Sequence, residues 1–230
     1  MFMREIWNII PDKDSKQYSS LMLIEKLAEN CKGNSLRVLD LGCGDGKSID
    51  WFNRSGLDHI WKGLDIDDSP EVKTRKRNDG DFYTYNGVEI PFDDSSFDVV
   101  FSHQVFEHVR HPDKVLREIH RVLNNDGVFL GSVSYLEPLH SYSIFNFTPY
   151  GWYRINIDNG FTPNFLAAGI DSLSLIHRSL RMTKPEDNIW VCSPLNKAII
   201  EDDALNIKEK NYKMLMNAGH MVFSSKKSII

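Results

Sequence analysis

The sequence predicts an α/β fold: an open, doubly wound and mostly parallel sheet with helices on both faces. Three observations carry this expectation. Short apolar runs alternate with helical stretches from residue 36 to residue 134. The first of these runs passes straight into a glycine-rich turn that opens a helix. A helix with one continuous apolar stripe, beginning at Pro112, separates two further apolar runs. Strands that alternate with helices join through right-handed crossovers and lie parallel.

The elements follow in order. Leu21, Ile24, Leu27, Ala28 and Cys31 fall at helical spacing after Asp14-Ser15, and Gly33 is a plausible stop. LRVLDL (36–41) reads as a buried strand because a short apolar run meets glycines. GKSIDWFNRS (46–55) reads as a helix ended by Gly56. Further strands are expected at 60–65, 81–86, 97–102 and 128–134. Before the last of these, Val115, Leu116, Ile119, Val122 and Leu123 form the helical stripe, which Asn124 to Gly127 end. Residues 135–169 read as irregular and aromatic, and 171–177 as a strand. A helix is expected from about Leu195 to Asn217, then a final strand at 220–227 that can add antiparallel to the sheet edge.

Composition narrows the function classes. The 230 residues carry 27 Lys+Arg against 32 Asp+Glu, a net charge of −5, which argues against a protein that embraces a phosphate backbone. Three cysteines, Cys31, Cys43 and Cys192, share no CxxC spacing, so neither a disulfide framework nor a metal site is expected. No run approaches 18 apolar residues, and Arg4, Glu5 and Pro11 interrupt the start before a signal-like apolar core can form. A soluble, cytoplasmic protein without a membrane span is the expectation.

The chemistry begins at VLDLGCGDGKS, residues 38–48. Gly42, Gly44 and Gly46 stand between a strand and a helix, where a tight turn and close ligand approach require residues without Cβ. Backbone N–H groups there favour an anionic or strongly polar ligand group. The dinucleotide pattern G-x-G-x-x-G fails: from Gly42 its third glycine falls on Lys47, and from Gly44 on Ile49. An NAD-dependent oxidoreductase is thereby disfavoured. Asp65 closes the second strand, placed to accept hydrogen bonds from two ribose hydroxyls, while Asp67, Asp68 and Ser69 make a helix-start cluster before Pro70.

VLDLGCGDG, GLDID, NGVEIPFDDSSFDVVFSHQVFEHV and LREIHRVLNNDGVF, in that order, resemble class I S-adenosylmethionine-dependent methyltransferases of the small-molecule branch. The match covers residues 36 to about 134, a little under half the chain. The resemblance implies a Rossmann-like, seven-stranded sheet with an aromatic cap after strand five. It implies S-adenosyl-L-methionine as cofactor and S-adenosyl-L-homocysteine as product. Asp40, Gly42, Cys43 and Gly44 would surround the methionine part, Asp65 the ribose, and Ile66 the adenine face. Asn86 and Gly87 would hold the adenine amino group, with Asn86 in place of the usual Asp; its side-chain carbonyl can still accept from an amine. Ser102 would lie beside the cofactor's amino group and sulfonium. Tyr18, just before the first helix, lies in a region that in relatives can close over the cofactor. On this reading residues 1–230 form one domain, with an N-terminal cap helix region at 1–34, the cofactor core at 36–134, and the acceptor cover and sheet edge at 135–230.

Methyl transfer to a hydroxyl benefits from a general base, and histidine is the favoured type. His103, at the carboxyl end of strand four, and His140, after strand five, are the catalytic candidates. His108 and Glu107 read as structural, His111 as a helix-start residue, and His59, His120, His177 and His220 as surface or packing residues. The basic run at 72–78 reads as a solvated helix face, with phosphate binding as the sharper alternative. Tyr142, Phe145, Phe147, Tyr150, Trp152, Tyr153, Phe161 and Phe165 put eight aromatics into 24 residues, enough to cover and stack on an acceptor, although packing alone explains more than half of them. PLHSYSIFNFTPYGW is similar to a segment of methyltransferases from bacterial surface-polysaccharide clusters. The expected function is O-methylation of a small hydroxylated acceptor, a sugar or sugar-linked one included, with no nucleic-acid partner. A catalytically silent cofactor-binding scaffold and an RNA or protein methyltransferase are the alternatives; SHQV, where amino-methylating enzymes of nucleic acids carry an Asn/Asp-Pro-Pro-aromatic run, counts against the latter. Monomer and homodimer are equally open.

Overall fold

The computed structural model describes residues 3–31, 33–138, 140–182 and 188–228. Along the chain come α1 (Arg4–Ile9), α2 (Ser20–Asn30), β1 (Leu36–Leu41), α3 (Ser48–Ser55), β2 (His59–Ile66), α4 (Pro70–Thr74), β3 (Asp81–Tyr85) and β4 (Phe97–His103). A single 3₁₀ turn at Phe106–His108 leads to α5 (Pro112–Val122) and β5 (Leu123–Ser134). Then follow α6 (Pro149–Asp158), β6 (Phe161–Ala168), α7 (Ser172–Ser179), α8 (Pro194–Ile200), α9 (Ile207–Met216) and β7 (His220–Lys227).

The seven strands form one sheet in the order β3-β2-β1-β4-β5-β7-β6. β1 pairs parallel with β2 and β4, β2 with β3, and β4 with β5, whereas β7 runs antiparallel to both β5 and β6. Chain direction across the sheet reverses between β1 and β4, so a crevice opens at their carboxyl ends. The strand period of two sorts side chains to the faces: Leu39 and Leu41 enter one apolar cluster with Leu116 and Phe129, and Val38 enters the other with Ile24, Phe52 and Phe101. On α5, Val115, Leu116, Ile119 and Val122 are all fully buried, as the stripe predicts. Burial of each such side chain stabilises the fold by roughly 1.5–3 kcal/mol.

The second half departs from expectation in three places. Residues 171–177 are helical, because Asp171 Oδ1 accepts the Ser174 N–H (2.7 Å) and caps α7. The helix expected over 195–217 is two helices. Asn206 and Glu209 form a capping box that starts α9, six residues after α8 ends. The stretch 135–169 is not irregular throughout: Thr148 caps α6 through the Gly151 N–H (3.0 Å), and β6 takes the sheet edge. Pro163 is tolerated in β6 because the strand has one free side and its register shifts between Pro163 and Phe165. Among the described residues no helix is long and apolar enough to cross a membrane.

Candidate functional site

The carboxyl ends of β1 and β2 meet at the glycine loop. Gly42 N–H donates to Leu64 O (2.7 Å), folding the loop against β2. Gly42 has φ of +74°, and a Cβ there would stand 2.2 Å from Val105 Cγ2, so only glycine fits. Asp65 Oδ2 accepts from Gly44 N–H and Oδ1 from Ile66 N–H, both at 2.7 Å. One lone pair on each oxygen stays free for two neighbouring hydroxyls. Burial pushes the Asp65 carboxyl above its ordinary value, against the pull of those two backbone donors. Ile66 is 38% exposed, and the bare backbone of Gly87 adjoins it, so the two form an apolar ledge beside Asp65.

Other members of the expected cofactor set have partners within the fold. Asn86 Oδ1 accepts from Val88 N–H (2.9 Å) and Glu89 N–H (2.8 Å), which uses both of its lone pairs in a turn. Asp40 is buried, its carboxyl pushed up to about 7 by burial, and it accepts the Ser48 hydroxyl, tying α3 to β1. Cys43 is buried too, which pushes its thiol up. The basic run is not a plain solvated face: Arg75 Nε donates to Gly44 O (2.8 Å) and Arg77 Nη1 to Gly46 O (3.1 Å), so both brace the glycine loop.

On the other side of the switch point, a cavity of about 500 Å³ is lined by Tyr18, Ser20, His103, Ser132, Glu137 and His140, among others. β4 places His103 in register with Ser132 of β5, and Ser20 begins α2. Ser102 is fully buried, its Oγ without a hydrogen-bond partner among the described residues. Tyr18 holds its place by donating its hydroxyl to Asp14 Oδ1 (2.6 Å).

The hydrogen-bond network favours one His103 tautomer. Gln104 sits at φ of +55°, a left-handed conformation that is uncommon for a residue with a Cβ. Its amide is satisfied with nitrogen toward Glu107 Oε1 (3.0 Å) and Ser134 Oγ (3.1 Å), and oxygen toward Val133 N–H (3.3 Å) and Ser132 Oγ (3.0 Å). In that orientation Ser132 gives its proton to Gln104, and its oxygen (2.9 Å) and that of Ser20 (3.0 Å) are both placed to accept from His103 Nδ1–H. In that tautomer Nε2 is the basic nitrogen. The His103 side chain is open to the cavity, but Trp51, Phe101 and the serines crowd the rest of the ring. This burial, with His220 nearby, lowers the imidazole to about 4, a shift that cavity water moderates.

His140 lies among carboxylates. Its Nδ1 is 3.2 Å from both Glu107 Oε1 and Glu137 Oε2, and these two bonds push its pKa up to about 10. His220 Nε2 holds Glu137 Oε2 at 2.9 Å. The two carboxylates thus favour the protonated form of His140, against which its expected role as a base must compete. His220 lines the cavity rather than serving only as packing, and Trp190 and Arg178 join it there. Spacing gave no signal for these three. Of the eight expected cover aromatics, Trp152 and Phe161 are core residues, 2% and 1% exposed, and Phe165 packs on Tyr18 (ring centroids 5.1 Å).

Comparison with known proteins bears on the domain and its fold. Residues 39–131 match the family described as methyltransferase domain. The chain is 35% identical over 113 residues to malonyl-[acyl-carrier protein] O-methyltransferase of Erwinia pyrifoliae, covering 47% of this chain and 41% of that protein. It is 29% identical over 119 residues to phthiotriol/phenolphthiotriol dimycocerosates methyltransferase of Mycobacterium tuberculosis, covering 50% and 44%. The chain thus spans under half the length of these curated relatives. Burkholderia thailandensis 1,6-didemethyltoxoflavin-N1-methyltransferase, solved with bound 1,6-didemethyltoxoflavin and S-adenosylhomocysteine, has the same fold, with a TM-score of 0.55 at 17% identity over 91% of this chain and 79% of that one.

Proposed function

We propose that the chain, whose residues 39–131 match the methyltransferase-domain family, transfers a methyl group from S-adenosylmethionine to a hydroxyl of a small acceptor, a saccharide or sugar-linked molecule fitting best. When bound, the cofactor supplies a methyl on a positively charged sulfur that departs neutral. The observation that carries the reading is the pairing of two neighbouring features at one sheet edge. One is a half-buried carboxylate with a free lone pair on each oxygen, beside an apolar ledge. The other is a cavity lined by His103, whose Nδ1 is held by two serines.

Asp65 holds the ribose hydroxyls, and Ile66 with Gly87 carries the flat base. Gly42 and Gly44 allow the polar end of the cofactor to approach the backbone. His103 Nε2 accepts the acceptor's hydroxyl proton as the oxygen becomes nucleophilic; Ser132 and Gln104 keep the nitrogen in the required tautomer. Trp190, 48% exposed, offers a platform for a sugar face, while Glu137 and the cavity serines offer hydrogen bonds to hydroxyls. We read residues 1–230 as one methyltransferase domain acting on a small molecule, without a nucleic-acid partner.

Calorimetry tests the cofactor half. S-adenosylmethionine is expected to bind in the micromolar range and NAD not at all. Asp65→Ala is expected to weaken binding by about 1–3 kcal/mol, the loss of hydrogen bonds at a partly buried polar site. Preference for NAD, or an Asp65→Ala affinity equal to wild type, contradicts the reading.

A further inference from the structure

We infer that Glu107, His108 and His140 form a binding site for one divalent transition-metal ion at the rim of the acceptor cavity. The three residues are separated by 31 positions of sequence and by β5, so no spacing motif announces them. The fold joins them: the 3₁₀ turn after β4 carries Glu107 and His108, and the segment after β5 returns His140 to it. Ile144 N–H and Phe145 N–H both donate to Glu107 O (2.6 and 3.1 Å), which pins that returning segment.

One ligand atom from each residue lies within 4.8 Å of the others. The Glu107 Oε1 to His140 Nδ1 separation is 3.2 Å, close to the edge of about 3.3 Å expected between ligands on metal arms of about 2 Å. The His108 and His140 rings stand 4.7 Å apart at 83°, so their in-plane lone pairs can converge without a face-to-face clash. A second observation points independently to a cation. Glu107 is fully buried, yet its Oε2 has no hydrogen-bond partner among the described residues. A buried carboxylate oxygen without a donor is costly unless something positive meets it.

Two imidazoles with one carboxylate suit Zn²⁺, Co²⁺, Ni²⁺ or Fe²⁺, and not Mg²⁺ or Ca²⁺, which take oxygen ligands. Three protein ligands leave a coordination position for an outside oxygen. His140 lines the cavity, so that position would serve a hydroxyl of a bound acceptor. Metal binding in this place does not depend on methyl transfer, and its test reads metal alone.

Full-length, tag-free chain treated with chelator would be titrated with ZnCl₂ by calorimetry and with CoCl₂ by visible absorption. One equivalent of each is expected, Co²⁺ giving a ligand-field spectrum of nitrogen and oxygen donors. His108→Ala and His140→Ala should each weaken Zn²⁺ binding by about tenfold or more, with circular dichroism unchanged. His59→Ala and His177→Ala, remote from the cluster, should not. If an alanine variant unfolds, X-ray absorption of Zn²⁺-loaded wild type decides: two imidazoles and an oxygen support the site, whereas sulfur or oxygen-only ligation overturns it. Failure of wild type to bind a stoichiometric ion, or unchanged affinity in both folded cluster variants, overturns it as well.

Discussion

Replacing His103 with alanine is expected to lower kcat by about 10²–10⁴-fold while affinity for S-adenosylmethionine stays within about twofold of wild type. The asymmetry follows from position. His103 ends β4 in register with Ser132, one residue beyond Ser102, and faces the acceptor cavity rather than the Asp65 ledge. Proton removal from a hydroxyl matters in the transition state and not in cofactor binding. Gln104→Ala should share part of the kcat loss, because it frees the Ser132 proton to compete for His103 Nδ1. The pH profile separates this from a structural effect. Around His103 stand Ser20 on α2, Trp51 on α3, Ser132 on β5, His220 on β7, and, farther off, Glu107 and His140. Burial and the neighbouring histidines hold its pKa down, toward about 4, so the neutral base is present above that value and is lost as pH falls through it. The acid limb of kcat/KM should therefore lie below the ordinary 6.5. Full activity in His103→Ala, or an acid limb at the ordinary value, would assign rate enhancement to alignment alone.

Trp152→Ala is expected to cost about 3–5 kcal/mol of stability and about 10 °C or more in Tm. Trp152 is 2% exposed, and its ring centroid lies 5.1 Å from those of Phe106 and Phe147 and 4.7 Å from that of Phe223. Truncation leaves a cavity beneath the 3₁₀ turn that carries Glu107 and His108. Trp152→Phe, which keeps a ring in that aromatic group, should recover most of the loss. Thermal unfolding monitored by circular dichroism reads the difference. An unchanged Tm with a raised acceptor KM would instead make Trp152 a stacking platform, as the aromatic density of its segment first suggests.

The parallel half of the fold was legible because its signals are local. A buried parallel strand such as LRVLDL is apolar on both faces, and the stripe on α5 repeats at the helical period. Asp65 and the glycine loop were legible for the same reason: each sits where a strand ends. The second half hid its elements behind short caps. Asp171 turns an alternating segment into a helix, and Asn206 with Glu209 restarts one after a break, and neither effect shows in apolar periodicity. The cavity around His103 was the least legible part. Ser20, Ser132, Glu137, Trp190 and His220 come from α2, β5, β7 and two intervening segments, and only the sheet order brings them together. His140 shows the limit of residue type as a guide, since its setting comes from two glutamates that it meets only in three dimensions.

The most direct test of the central claim is a crystal structure of the chain with S-adenosylhomocysteine. The ribose hydroxyls are expected within hydrogen-bond distance of Asp65 Oδ1 and Oδ2, the adenine on Ile66 and Gly87, and the sulfur directed toward the cavity that holds His103 Nε2. A nucleoside bound elsewhere, such as the cleft beside Cys31, Arg54 and Asp58 at the opposite ends of the strands, with Asp65 making only its two backbone contacts, would contradict the account.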